Sequence, residues 1–174
     1  NALKERVRRF GGELLHFCAE GGGGGGADEE EEDALAEGKR NNSLELDPKL
    51  LPDASSLGAS AGRRLSIVSY GCHTLGAPRP LVQRHYCIDD RRIRYRLSGR
   101  EAAKFCGLDE LIQARVSRCA YFATFIGQII GEVEKHGLAS VAIFCWKGRH
   151  RSVAAVEILK RFYYPKATVQ HLCL

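Results

Sequence analysis

No run of eighteen or more apolar residues occurs in this 174-residue chain. A membrane-spanning helix needs about that length, so no membrane segment is expected. The seven cysteines, Cys18, Cys72, Cys87, Cys106, Cys119, Cys145 and Cys173, form no C-x-x-C pair. An odd count without that spacing indicates neither a disulfide framework nor a standard zinc knuckle, and reduced thiols in a cytoplasmic compartment fit best. No G-x-x-x-x-G-K-[ST] sequence is present; Gly71 to Gly76 has the glycine spacing but continues Ala77-Pro78, so nucleotide hydrolysis is not expected. No cofactor and no metal are expected, since His150, His171, Cys145 and Cys173 match the spacing of no common site. The chain begins with Asn1 and not Met, and it is therefore expected to be a fragment of something longer.

What is present divides unevenly. Residues 1–62 carry a formal charge of −6, and residues 63–174 carry +11. Only the second part is suited to an anionic partner. Leu3, Val7, Phe10, Leu14, Phe17 and Cys18 are spaced by three and four, which predicts an amphipathic helix in residues 1–20, the tail of a preceding region. Residues 21–62 are rich in Gly, Glu and Ser with almost no aromatic side chain, and a disordered acidic linker is expected there because too little apolar surface is available to offset the entropy of ordering.

From Arg63 onward, strand-like and helix-like patterns alternate. Leu65–Tyr70, Val82–Ile88, Ser140–Trp146 and Ala167–Leu172 read as strands. Leu108 to Val133 keeps helical spacing, as one helix or as two joined near Ser117, and a further helix runs from about His150 to Tyr163. This alternation predicts an α/β domain over residues 63–174, three-layer-like with a largely parallel sheet, whose ligand crevice lies at the carboxyl ends of the strands.

Phe144 to Val153 is the most informative segment, because a buried strand passes through a glycine-containing loop directly into a helix. The first amides of a helix have no intrahelical partner and the helix dipole adds positive potential, so such a start favours an anion. Lys147, Arg149, His150 and Arg151 crowd basic groups there, Gly148 lets the backbone approach closely, and Ser152 offers a hydroxyl. Cys145, Gly148, Arg151 and Ser152 also spell C-x2-G-x2-R-[ST], which resembles the signature loop of the Cys-dependent protein tyrosine phosphatases. That resemblance implies Cys145 as nucleophile and Arg151 as a phosphate ligand. The residue before the cysteine is Phe144 where that family has His, and no Asp is clearly placed to protonate a leaving group; Cys145 as a buried strand-end residue is the preferred reading.

A second resemblance spans residues 64–174. Ser69-Tyr70-Gly71 with Gly76-Ala77-Pro78, Ile88-Asp89-Asp90-Arg91, Gly107-Leu108-Asp109, Gly148-Arg149-His150-Arg151-Ser152-Val153 and His171 resemble, in order, the C-terminal domain of the RNase adapter protein RapZ family. The resemblance implies an α/β fold that binds a phosphorylated amino sugar, glucosamine 6-phosphate, and small regulatory RNA, with surfaces for homo-oligomers or partner proteins. In that family a nucleotide-binding domain lies upstream. Trp146 and Lys147 stand where the family has Thr-Gly, so the pocket beside the phosphate is expected to gain a bulky ring and a charge.

The expected phosphate-binding set is therefore Lys147, Gly148, Arg149, His150, Arg151 and Ser152, with His73 and Arg91 from neighbouring strand ends. Asp89 is expected to hold a basic loop residue. Arg92, Arg94 and Arg96, with Tyr95 interleaved, are expected to contact RNA phosphates and a stacked base. The function expected from sequence is a phosphate- or phosphosugar-binding regulatory domain that adapts RNA, with a Cys145-dependent phosphatase as the alternative.

Overall fold

The computed structural model describes residues 45–174 apart from 75–78, 90, 91 and 94. The helix and most of the linker expected before Glu45 lie outside these residues, as do Gly76-Ala77-Pro78, Asp90, Arg91 and Arg94. The order of elements is β1 (Ser66–Gly71), β2 (Arg84–Cys87), α1 (Gly99–Lys104), α2 (Glu110–Ser117), α3 (Phe122–His136), β3 (Ser140–Cys145), α4 (Arg151–Phe162) and β4 (Thr168–His171).

The four strands form one sheet in the order β2-β3-β1-β4, and every pairing is parallel. The domain is α/β with a parallel sheet, as the alternation of patterns predicts. Parallel neighbours need crossovers, and crossovers are right-handed. The step from β1 to β2 runs toward one edge of the sheet, whereas the steps from β2 to β3 and from β3 to β4 run toward the other. The connections must therefore lie on opposite faces.

Side-chain burial agrees with that topology. Ile67, Val141, Ile143 and Cys145 face a core built with Ile112 and Val116 of α2, Phe122, Ile126, Ile129 and Val133 of α3, and Ala155, Ile158 and Leu159 of α4. Each fully buried Ile contributes about 1.5–3 kcal/mol relative to exposure. The opposite face carries a smaller cluster of Val68, Tyr70 and Ala142, covered by Val82, Phe144, Leu172 and Cys173. Among the described residues this third layer is the β1–β2 connection, not a helix. Residues Arg79 to Val82 line a groove of about 430 Å³ there, and the Leu81 side chain is fully exposed.

The helical run from Leu108 to Val133 resolves into two helices. Ser117 donates to the Ala114 carbonyl at 3.0 Å, and the Cys119 amide bonds back to Val116, so α2 closes in a turn before Phe122. A Ser hydroxyl competes for carbonyls in this way, which makes it a natural break. α3 ends at Gly137 in the left-handed conformation (φ 60°), a position that disfavours any side chain. No helix among the described residues is long and apolar enough to cross a membrane.

The linker expected to run as far as Gly62 needs a correction at its end. Residues 45–62 form a strap: Leu46, Leu51, Ala54, Leu57 and Ala59 pack against the main core. Pro48–Leu50 makes a 3-10 turn capped by Asp47, and Asp53 accepts from Ser55 and from the Ser56 amide. Arg118 reaches the Glu45 carbonyl, Arg63 pairs with Glu134 at 2.7 Å, and the buried Tyr163 hydroxyl donates to the Pro52 carbonyl at 2.7 Å. The packed region thus starts well before Arg63. A few leucines spaced along a polar stretch are enough because they cover an existing core and need not build one.

The strap is testable at its single hydroxyl anchor. Tyr163→Phe removes one buried hydrogen bond and should lower unfolding free energy by about 1 kcal/mol, read as a reduced urea midpoint at unchanged slope. An unchanged midpoint would show that the Pro52 contact contributes nothing.

Candidate functional site

β1 and β3 are neighbours whose connections leave on opposite faces, which makes the gap between their carboxyl ends the switch point of the sheet. Two loops meet there, residues 71–74 after β1 and residues 146–150 between β3 and α4. The Cys72 amide bonds the Cys145 carbonyl and the His73 amide the Trp146 carbonyl, both at 3.0 Å, and the Thr74 hydroxyl donates to the Lys147 carbonyl. The strand pairing is in effect continued past the strand ends.

Glycines make this junction feasible. Gly148 has φ of 70°, and a Cβ there would stand 2.3 Å from the Gly71 nitrogen; a Cβ on Gly71 would stand 2.6 Å from the Lys147 carbonyl carbon. The clearance that was expected to admit a ligand is filled by the neighbouring backbone. Gly107 plays a similar part behind the loop: its amide bonds the Arg149 carbonyl, and a Cβ would stand 2.4 Å from the His150 carbonyl oxygen.

The basic residues separate into distinct roles. Arg149 donates to the Ala103 carbonyl at 2.8 Å. His150 Nε2 lies 3.1 Å and 2.9 Å from the carbonyl oxygens of Ala102 and Phe105, and because carbonyls only accept, Nε2 carries the proton. Both side chains therefore serve the carboxyl end of α1, where the dipole favours cations. Arg151, about a quarter exposed, forms an ion pair with Asp89 just past β2, as expected for Asp89 holding a basic loop residue. Burial pushes the Asp89 carboxyl up, against the lowering influence of Arg151 and of a hydrogen bond from the Trp146 amide. The Asp89 carboxylate thus ties the first residue of α4 to the end of β2. Lys147 is exposed, as are His73 and Arg149.

Ser152 is fully buried and within 3.2 Å of the Cys145 sulfur, which also accepts from the Gly148 amide at 3.2 Å. The hydroxyl expected to hold a ligand thus faces the thiol, and Cys145 itself is nearly inaccessible at 3% exposure. The start of α4 at Arg151 has no side-chain cap, His150 occupying the cap position without bonding the helix amides. His73 stacks on the Trp146 ring, with centroids 3.2 Å apart.

The basic run after β2 departs from the expected pattern. Arg92 lies over the Tyr121 ring at 3.5 Å, and Tyr95, whose hydroxyl is pushed up by burial, packs against the main core instead of standing free for a base. Arg96 is exposed. α1 follows the run, starting at Gly99. Its start is a capping box in which the Glu101 amide bonds Ser98 Oγ and the Ser98 amide bonds the Glu101 carboxylate. The S-x-x-E spacing that announces it is legible in the sequence.

A second polar chain, missed in the sequence, crosses the sheet nearby. Ser69 Oγ lies 2.7 Å from His171 Nδ1, and His171 Nε2 lies 3.0 Å from Glu157. Ser69 and His171 are register partners on β1 and β4, and Glu157 descends from α4. Ser69 is completely buried, so this arrangement fastens the edge strand to the helix and offers no surface nucleophile. The strand register alone would have found the first pair.

No family model matches the chain, and no curated protein matches it. The class defined by the coordinates is an α/β domain with an uncapped helix start at its switch point, and the resemblances noted above rest on their motifs.

Two outcomes follow for the loop. Gly148→Ala combines left-handed strain of about 1–2 kcal/mol with a backbone clash, so it should destabilise strongly, whereas exposed Lys147→Ala should change the melting temperature little. The Arg115 and Ser98 contacts hold the Glu101 carboxyl down to about 2 from its ordinary value of 4.5. A lowered folded-state value means that stability is fully present above pH 4.5 and is lost as pH falls toward about 2. Acid should thus loosen α1 first, visible as early loss of amide protection at Ala102 to Phe105, and Glu101→Gln should remove that pH dependence.

Proposed function

We propose that this domain binds a phosphate monoester at the loop between β3 and α4, as a regulatory binding domain of the kind seen in the C-terminal domain of the RapZ family. The observation that carries the reading is the start of α4: its amides lie uncapped at the switch point, behind a loop braced by Asp89, Gly71 and the end of α1. An anion there gains hydrogen bonds that no side chain supplies, and the helix dipole adds favourable potential. Arg151 is partly exposed and shares its guanidinium between Asp89 and the incoming phosphate. Lys147 adds charge at the rim. The bracing residues Arg149 and His150 act by shape and not by contact. An amino-sugar phosphate, which the RapZ resemblance implies, is one member of this ligand class.

A second reading is favoured by the surroundings of Cys145. The Gly148 amide and the Ser152 hydroxyl both lie 3.2 Å from its sulfur, and Asp89, whose carboxyl burial pushes up, stands beside Arg151 where a proton donor would be needed. In that reading the thiolate would attack phosphorus, the P–S bond would form as the ester P–O bond breaks, and Asp89 would protonate the leaving oxygen. Water would then release phosphate and return the proton.

Calorimetric titration with inorganic phosphate and glucosamine 6-phosphate separates these readings. Binding should shift amide resonances of residues 146–153, and Arg151→Ala should weaken it by roughly tenfold to a hundredfold while the fold persists. Shifts clustered elsewhere, or an unfolded Arg151→Ala variant, would remove the site. Hydrolysis of p-nitrophenyl phosphate should be absent; turnover abolished by both Cys145→Ser and Asp89→Asn would put the phosphatase reading in its place.

A further inference from the structure

Trp146 is the chain's one tryptophan, and it leads the loop that Arg151 closes. Its side chain is 53% exposed, and it is the one aromatic among the exposed large hydrophobic side chains of the described residues. An exposed indole is ordinarily free to rotate. This one has its ring stacked on the His73 imidazole, with centroids 3.2 Å apart, and the two residues are also joined by the bond the Trp146 carbonyl accepts from the His73 amide at 3.0 Å. The ring surface that His73 leaves uncovered is offered to a second partner. Tyr95, the aromatic expected to stack a base, is turned into the core, so the stacking surface of this region is here.

We infer that the ligand of the loop carries a planar aromatic ring set apart from its phosphate by a spacer, in kind a nucleoside 5′-monophosphate, and that this ring stacks on Trp146. The inference rests on the phosphate reading of the loop and adds its specificity. The indole meets His73 of the turn after β1 while the helix amides begin at Arg151, so ring and phosphate would be held by different parts of the site, as a ring joined to its phosphate through a ribose allows. A pre-oriented ring loses little freedom on binding, so its stacking is realised as affinity. An amino sugar fits the same place poorly. It presents no π-face, and its ammonium would meet exposed Lys147 and His73, while the Asp89 carboxylate is already paired with Arg151.

The single tryptophan makes the test direct, because emission excited at the red edge of indole absorption reports this ring alone. The full chain is titrated with adenosine 5′-monophosphate, adenosine, glucosamine 6-phosphate and inorganic phosphate, by fluorescence and by calorimetry. Adenosine 5′-monophosphate should quench Trp146, compete with inorganic phosphate and bind about tenfold more tightly than either phosphate without a ring. Trp146→Ala should erase that preference, and Trp146→Phe should retain part of it. Equal affinity for adenosine 5′-monophosphate and glucosamine 6-phosphate, or a preference that survives Trp146→Ala, overturns the inference and leaves the phosphate site standing. Failure of all three phosphates to bind overturns the inference together with the phosphate reading.

Discussion

Gly71 and Gly148 lie back to back, with no room for a Cβ on either, and the site depends on that contact. Only bare backbone allows the turn after β1 and the loop after β3 to share the gap at the switch point. Because the turns touch there, the Cys72 and His73 amides find the Cys145 and Trp146 carbonyls, the loop stays low, and α4 starts immediately at the sheet edge. A side chain at either position would lift the loop, and the alignment of Asp89, Arg151 and Cys145 would go with it. The left-handed φ of Gly148 and its burial express one requirement, the close approach of two main chains.

The cluster of positive charge at the start of α4 would oppose the helix dipole if it were left alone. Three different devices relieve it. Arg149 and His150 are drawn off by the carboxyl end of α1, where the opposite pole of another helix accepts them. Arg151 is met by a carboxylate. Lys147 stands in solvent, where its repulsion is screened. The local charge density therefore overstates the positive potential a ligand meets, and the uncapped amides contribute a larger share than the count of arginines suggests. α1, only six residues long, matters to the site for this reason, and its capping box is an indirect support of the loop.

The parallel sheet, its four strands and the strand–loop–helix at residue 145 were legible in the sequence because each has a continuous local signal. Val141 to Cys145 is an unbroken apolar run, and α3 and α4 keep their inner faces over several turns. Asp89 holding a basic loop residue was legible as well, from its place just past a strand. What escaped was decided across the sheet. Nothing local says that Arg149 and His150 turn backward, since their partners are main-chain carbonyls some 45 residues away. Ser152 looked like a ligand because its partner, Cys145, became visible only once the helix had turned it inward. The strap over residues 45–62 was hidden by composition: its few leucines are too sparse to form a core, yet sufficient to lie on one.

β1 is the first strand among the described residues, and its two neighbours, β3 and β4, follow about 70 and about 100 residues later. During synthesis, Ile67, Val68 and Tyr70 have no partner strand for most of the time the domain is being translated. β2 cannot relieve them, because it pairs with β3 and not with β1. β1 gains its second neighbour only when residues 168–171 are available, with His171 finding Ser69. Folding of this domain therefore depends on pairings of high sequence separation, and β1 is the segment that waits longest for its partners and is most exposed to chaperones meanwhile.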